Sequence, residues 1–289
     1  MPWSERAGGV VAVHAHPDDE CLTTGGVLAR AAQEGRPADV ITLTGGEEGE
    51  VVGEGMDPDR VRPRLAEVRR AELACSLREL GCGPPRLLGY RDSGMAGEPS
   101  NDHPDALWRA PFDGALGALV GQLRELRPAV VVTYDAYGLY GHPDHLQAHR
   151  LGVLACEAAG EPALHRDRGP AHRVAKVYLA TVPRGVAALA NRELAARGLP
   201  SPFGTVTDPA RLEVGTPDER VTTTVDVRDH IGRKRRALAC HRSQVGPDSL
   251  FLNVPDDLAE AAFGAEWFVR LRSDVACPAH EDDLFAGLG

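Results

Sequence analysis

The chain has 289 residues, 43% hydrophobic and 26% charged. That composition excludes the disordered and fibrous classes and allows a sizeable buried core. The formal net charge is −10 with no basic, aromatic-spaced patch, so no nucleic-acid partner is expected. No apolar stretch approaches a membrane span and "MPWSERAGG" lacks the pattern of a signal peptide, so no membrane partner is expected and the cytoplasm is the simplest location.

The run "GVVAV" (9–13) reads as a first buried strand, followed at once by "HAHPDDE" (14–20). "TGGVLARAAQEG" has helical spacing, "ADVITLT" is a second strand running into "GGEEGE", and "RVRPRLAEVRRAELACSLRELG" is again helical. A third strand, "PRLLG", precedes "YRDSG". In "LGALVGQLRELRPAVVVTY" an amphipathic helix is ended by Arg127-Pro128 and a strand begins immediately, leading into "DAYGLYGHPDH". Strands alternating with helices predict an α/β fold: a Rossmann-like, mostly parallel sheet flanked by helices, with a decorated C-terminal region.

From about Glu161 the chain turns to loops rich in Pro and Arg, with strands at "KVYLATV" and "RVTTTVDV" and a helix over "HIGRKRRALACHRSQ". Residues 1–289 form one domain in this reading, about 10–160 being a metal-binding α/β core and about 161–289 a part capping the substrate mouth. The basic block Arg233 to Arg236 reads as a solvated helix face. The six cysteines are scattered singly and read as free thiols. Nothing in the sequence speaks against a homo-oligomer.

Ligands of open α/β sheets bind beyond the carboxyl ends of the strands, where strand order reverses. Four polar clusters follow four strands, and the first spends two histidines and three carboxylates within seven residues. So much ionisable chemistry is costly to desolvate beside a core unless something pairs with it, and a bound cation is the obvious partner. His16 and Asp19 are three apart, as are His142 and His145. Catalytic zinc takes three protein ligands of these types and keeps one position open, so two His-Pro-Asp loops on one sheet edge can supply them. Zn²⁺ suits a cysteine-free donor set, while Fe²⁺, Co²⁺ or Mn²⁺ could occupy the same imidazoles and carboxylates. Asp18, beside Asp19, is well placed to take a proton from water that the metal activates.

The motifs "AHPDDE", "TGGEEGE", "RRAE", "RDSGM", "GHPDH" and "CHRSQ", in that order, resemble the PIG-L (LmbE-like) zinc deacetylases, over nearly the whole chain. Within them the chain looks most like the mycothiol branch, which comprises N-acetylglucosaminyl-inositol deacetylase and mycothiol S-conjugate amidase. The resemblance implies His16, Asp19 and His145 as zinc ligands and Asp18 as general base. It implies His142 as general acid or electrostatic partner, Asp144 as the group orienting a histidine, and Tyr140 as the group that polarises the scissile carbonyl or stabilises its oxyanion. It further implies that Arg69 holds a sugar hydroxyl or inositol oxygen and that Asp92 binds a sugar hydroxyl. The chain departs from that branch at Ala136, Tyr137 and Leu139, where a more polar Asn-Gly pattern is usual.

Other residues are read from their own chemistry. Three carboxylates in "GGEEGE" would repel a phosphate but suit a polyhydroxylated sugar, with Glu47 the expected contact. Glu20 is expected to hold its loop through backbone hydrogen bonds, and His14 to be a buried, hydrogen-bonded histidine. For His241 and Gln244 in "CHRSQ" the family resemblance implies packing beside the pocket, while helix capping and packing is the alternative their own chemistry offers.

The expected function is metal-dependent hydrolysis of the amide of an N-acyl amino sugar, a small-molecule substrate. The alternative within that chemistry is a deacetylase of a glycosylated natural product or aminoglycoside precursor. Of the different classes, a nucleotide-binding protein lacks G-x-G-x-x-G after the first strand. A non-catalytic metal-binding protein would have lost Asp18 or His142, and both are present.

Overall fold

The computed structural model describes residues 8–246, 249–254, 260 and 263–288, so most of "MPWSERAGG" lies outside the described residues. Seven strands, β1 (Val10–His14), β2 (Ala38–Thr44), β3 (Arg86–Tyr90), β4 (Val130–Tyr134), β5 (Lys176–Thr181), β6 (Thr223–Asp226) and β7 (Ala265–Ser273), form one sheet ordered β3-β2-β1-β4-β5-β7-β6. The first five run parallel; β7 is antiparallel to both β5 and β6. The flanking helices are α1 (Asp19–Thr23), α2 (Gly25–Gln33), α3 (Pro58–Val61), α4 (Leu65–Leu80), α5 (Phe112–Leu126), α6 (Gly138–Gly141), α7 (Pro143–Gly160), α8 (Arg184–Ala196) and α9 (Ile231–Cys240).

Every residue of β1, β2, β4 and β5 is buried, which is why these strands read as continuous apolar runs. In β1 the period of two sends Val10 and Ala12 into a core with Leu28, Leu73, Leu77 and Leu238. Val11 and Val13 enter the opposite core with Leu119, Leu123 and Leu151. The chain lays β2 and β3 on one side of β1, then crosses to lay β4 and β5 on the other. Strand order therefore reverses between β1 and β4, opening a crevice at their carboxyl ends, where the two His-Pro-Asp segments begin.

The helix read over 60–81 is broken by a 3₁₀ turn at Arg62–Arg64, where Pro63 has no amide hydrogen to donate. It stops at Gly81, whose φ of 81° is the usual left-handed helix end. "GHPDH", read as a loop, opens the 18-residue α7: Nδ1 of His142 accepts the Asp144 amide at 3.1 Å and Pro143 takes the first turn. Helix α8 and strand β7 were not expected, and β7 seats the C-terminal part within the sheet itself.

Two further expectations are corrected. Cys75 and Cys240 are not free thiols but a disulfide joining α4 to α9, while Cys21, Cys82, Cys156 and Cys277 remain free. Two single cysteines 165 residues apart carry no pairing signal until helix packing brings them together. The basic block is not all solvated: Lys234 is buried against Glu266, 2.6 Å away, whose carboxylate also takes the amides of Gly26 and Val27 at the start of α2.

Candidate active site and metal centre

Three donor atoms from the two strand ends form a compact triangle. His145 Nε2 lies 3.2 Å from His16 Nδ1 and 3.5 Å from Asp19 Oδ2, and His16 Nδ1 lies 3.5 Å from the same oxygen. Ligands 2.0–2.1 Å from a tetrahedral zinc stand about 3.3 Å from one another, so the triangle has the dimensions of a tetrahedron face. The other ring nitrogens are engaged as metal-ligating histidines require: His16 Nε2 faces Asp144 Oδ2 at 3.3 Å, and His145 Nδ1 donates to the Gly138 carbonyl at 3.2 Å. Gly138 is required here, because an added Cβ would lie 2.6 Å from Cβ of His145. His142 also lies close enough to group with His16 and His145. Its Nδ1 is taken up by the α7 cap, which favours Asp19 as the third donor.

Asp18 stands beside the triangle with a quarter of its side chain exposed and with φ at 113°, a left-handed value for a residue other than glycine. Burial in the cleft, only partly offset by Arg69, pushes its carboxyl up to about 6. Arg69 donates to Asp18 Oδ2 at 3.0 Å, to the Pro17 carbonyl at 2.6 Å and to the Gly46 carbonyl at 2.7 Å. Gly46, at φ 70°, lets that guanidinium approach, since a Cβ there would overlap it. Arg69 and Glu72 are both buried, and Glu72 accepts from the amide and hydroxyl of Ser243 at 2.7 Å each.

Asp92, 4% exposed, holds Oδ1 at 3.5 Å from His16 Nε2 and 3.9 Å from His142 Nε2. Burial alone would raise its carboxyl, but the facing histidines and the Gly94 amide hold it well below the carboxylate range. Glu47 accepts the Asp92 amide at 2.8 Å, and Glu48 pairs with Arg91 at 2.6 Å. Tyr140 stands about half exposed at the mouth, its hydroxyl 3.5 Å from His145 Nε2. Burial raises its phenol, so it stays protonated as a donor. All ten sequence-predicted site residues thus meet at one sheet edge, with Arg69, Asp92 and Glu47 bonded largely within the protein.

Sequence reasoning missed Tyr134 and Ser93. The Tyr134 hydroxyl donates to Asp19 Oδ2 at 2.6 Å and accepts the Ala15 amide at 2.9 Å, while its ring stacks on His145 at 4.3 Å. Ser93 fixes Asp144 through its amide at 2.8 Å and its hydroxyl at 2.5 Å. The signal for Tyr134 was a lone aromatic hydroxyl ending a buried strand, after three valines and a threonine. His14 is buried as expected, bonded to Thr24 at 2.8 Å.

The family described as PIG-L, GlcNAc-PI de-N-acetylase, matches residues 11–156, which include both ligand segments. A Geodermatophilus obscurus protein named 1D-myo-inositol 2-acetamido-2-deoxy-alpha-D-glucopyranoside deacetylase is 43% identical over 96% of this chain and 96% of its own length. The chain belongs to the PIG-L family. A Thermomonospora curvata protein of the same name is 41% identical over 96% of each chain. Among solved structures, N,N'-diacetylchitobiose deacetylase from Pyrococcus horikoshii superposes with a TM-score of 0.63, covering 92% of this chain and 85% of that one at 20% identity. A hydratase, GalB, shares this PIG-L fold at a TM-score of 0.59, 20% identity and coverage of 94% and 99%, so the fold by itself does not fix the reaction. The buried His16 and His145 with the partly exposed Asp19 could bind a metal, and one further neighbour of this fold, at a TM-score of 0.54, 21% identity and coverage of 92% and 99%, is a zinc-inhibited form of teicoplanin deacetylase.

Proposed function

We propose that the chain is a zinc-dependent hydrolase that removes the acetyl group from N-acetylglucosaminyl-inositol, working in the cytoplasm. The observation that carries this reading is the ligand triangle with the partly exposed carboxylate of Asp18, held by Arg69, beside it. The full-length relatives named for that substrate support it.

His16, Asp19 and His145 would hold the metal, which when bound supplies Lewis acidity, polarising a carbonyl and lowering the pKa of water. Asp18 takes a proton from the attacking water at its carboxylate as the water oxygen bonds to the acyl carbon. When the C–N bond breaks, the same carboxyl returns that proton to the departing amine nitrogen. His142 Nδ1 accepts a backbone amide, so its proton sits on Nε2, on the side of Asp92, and burial lowers its pKa. We assign it as a neutral donor that stabilises charge on the scissile group, together with the Tyr140 hydroxyl. Asp144, tied to Ser93, orients His16. Arg69 acts on the base from one side, while Asp92 and Glu47 form the polar wall toward the sugar. Carboxylates outnumber cations there, which favours a neutral, hydroxyl-rich ligand over a phosphorylated one.

The test is release of primary amine from N-acetylglucosaminyl-inositol, a mycothiol S-conjugate, N-acetylglucosamine and a phosphorylated N-acetyl sugar, side by side. The inositol glycoside should give the highest kcat/KM. A phosphorylated substrate ahead by tenfold would overturn the sugar wall.

A further inference from the structure

Asp18 carries the proton in the proposed reaction, yet its backbone stands in a conformation that a side chain disfavours. At φ 113° and ψ −27° it precedes α1 without a side-chain cap of its own. Such a residue persists only where its surroundings over-determine it. Arg69 holds the carboxylate. The backbone is held from behind the cleft: the Asp18 amide donates to Glu20 Oε2 at 2.9 Å.

Glu20 is fully buried. Its other oxygen, Oε1, accepts the Ser76 hydroxyl at 2.5 Å and lies 2.7 Å from His241 Nε2, with Cys21 Sγ at 3.2 Å. Among the described residues, His241 Nδ1 is buried without a partner, so the ring serves Glu20 alone. Ser76 directly follows Cys75 and His241 directly follows Cys240, and these two cysteines are bridged. The covalent link between α4 and α9 therefore sits one residue from each of the main donors that fix Glu20. Two helices distant in sequence are fastened where they grip one carboxylate, and that carboxylate grips the amide of the base.

We propose that Glu20 is a positioning residue for the general base, its carboxylate anchored by Ser76 and His241 so that its second oxygen holds Asp18 in the left-handed turn facing the cleft. The inference rests on the reading of Asp18 as the base. The loss of a single ångström of placement in such a group can cost about 10²-fold in rate. Glutamine at position 20 offers one acceptor where two are needed: an amide NH₂ must face either the Asp18 amide or the two donors.

The experiment compares Glu20→Gln, His241→Ala and His241→Gln with the wild-type metal-loaded chain for kcat, KM and metal per chain, and adds crystal structures of wild type and His241→Ala. The expected result is a kcat lowered roughly 10²-fold in Glu20→Gln and His241→Ala, with KM within threefold and metal content unchanged. His241→Gln, whose side-chain amide can donate from the position of Nε2, should recover most of that loss, which a packing defect alone would not. The proposal is overturned if His241→Ala keeps kcat within threefold, or if Asp18 retains its backbone conformation and its hydrogen bond to Glu20 in that variant. Should Glu20→Gln fail to fold, the two His241 variants decide. If the wild-type chain releases amine from none of the substrates, the reading of Asp18 as base falls separately, and the position of Asp18 in the two crystal structures still decides the role of Glu20.

Discussion

Replacing Tyr134 with phenylalanine removes one oxygen and leaves the ring stacked on His145. That oxygen donates to Asp19 at 2.6 Å, accepts the Ala15 amide at 2.9 Å and lies 3.2 Å from His14 Nδ1. Losing a donor to an ionised carboxylate costs about 1.5–3 kcal/mol, and leaving the Ala15 amide unpaired in a buried place costs about 1–3 kcal/mol more. Part of this falls on folding. The part that falls on Asp19 loosens one corner of the ligand triangle, for which loss of a supporting hydrogen bond typically weakens metal binding about 10–100-fold. Competition against a chromophoric Zn²⁺ chelator, run on wild type and Tyr134→Phe, reads that number directly. If the variant bound Zn²⁺ within twofold of wild type, the hydroxyl would not be supporting a ligand and the choice of Asp19 as third donor would be wrong.

Opening the Cys75–Cys240 bridge by Cys75→Ala should lower unfolding stability by about 2–5 kcal/mol, the upper figure being the loop-entropy limit for cysteines 165 residues apart. A thermal midpoint unchanged by the substitution or by dithiothreitol would show that the bridge does not form. His241 should leave a mark on stability against pH. Burial opposes its charge, but Glu20 and then Asp18 raise its pKa above the ordinary value near 6.5, while Arg69 opposes them. A histidine raised on folding contributes stability that is complete below about pH 6.5 and is lost as pH climbs through the folded value. Urea unfolding from pH 5.5 to 9 should therefore show an alkaline decline that is shallower in His241→Gln, and equal slopes would count against a charged His241.

Much of this was legible because both faces of the sheet are covered. Four short apolar runs, two of them valine-rich, announced their strands, and the residues after each announced the edge where chemistry collects. The paired His-Pro-Asp segments were readable as ligands because histidine and carboxylate beside a core demand a partner. What stayed hidden depends on long-range packing. Arg69 was legible only through the family resemblance, because its buried place under Pro17 and Gly46 depends on how α4 packs, and Lys234 looked solvated until Glu266 met it. Helix α7 was obscured because its polar first turn belongs to the site, so its apolar stripe begins only later. Strand β7 was obscured by Arg270 and Arg272, whose guanidinium groups reach out to Glu281 and Glu157 from a partly exposed face.

Metal content and amine release, measured together on wild type, His145→Ala and Asp18→Asn with N-acetylglucosaminyl-inositol, test the metal ligands and the base at once. Wild type and Asp18→Asn should each hold one divalent metal per chain, and His145→Ala should hold none. Asp18→Asn should turn over roughly 10²–10⁴-fold more slowly at little-changed KM, the usual worth of a general base. Near-normal turnover by Asp18→Asn would show that Asp18 is not the base, and full activity in a wild-type chain stripped of metal would show that the reaction needs none.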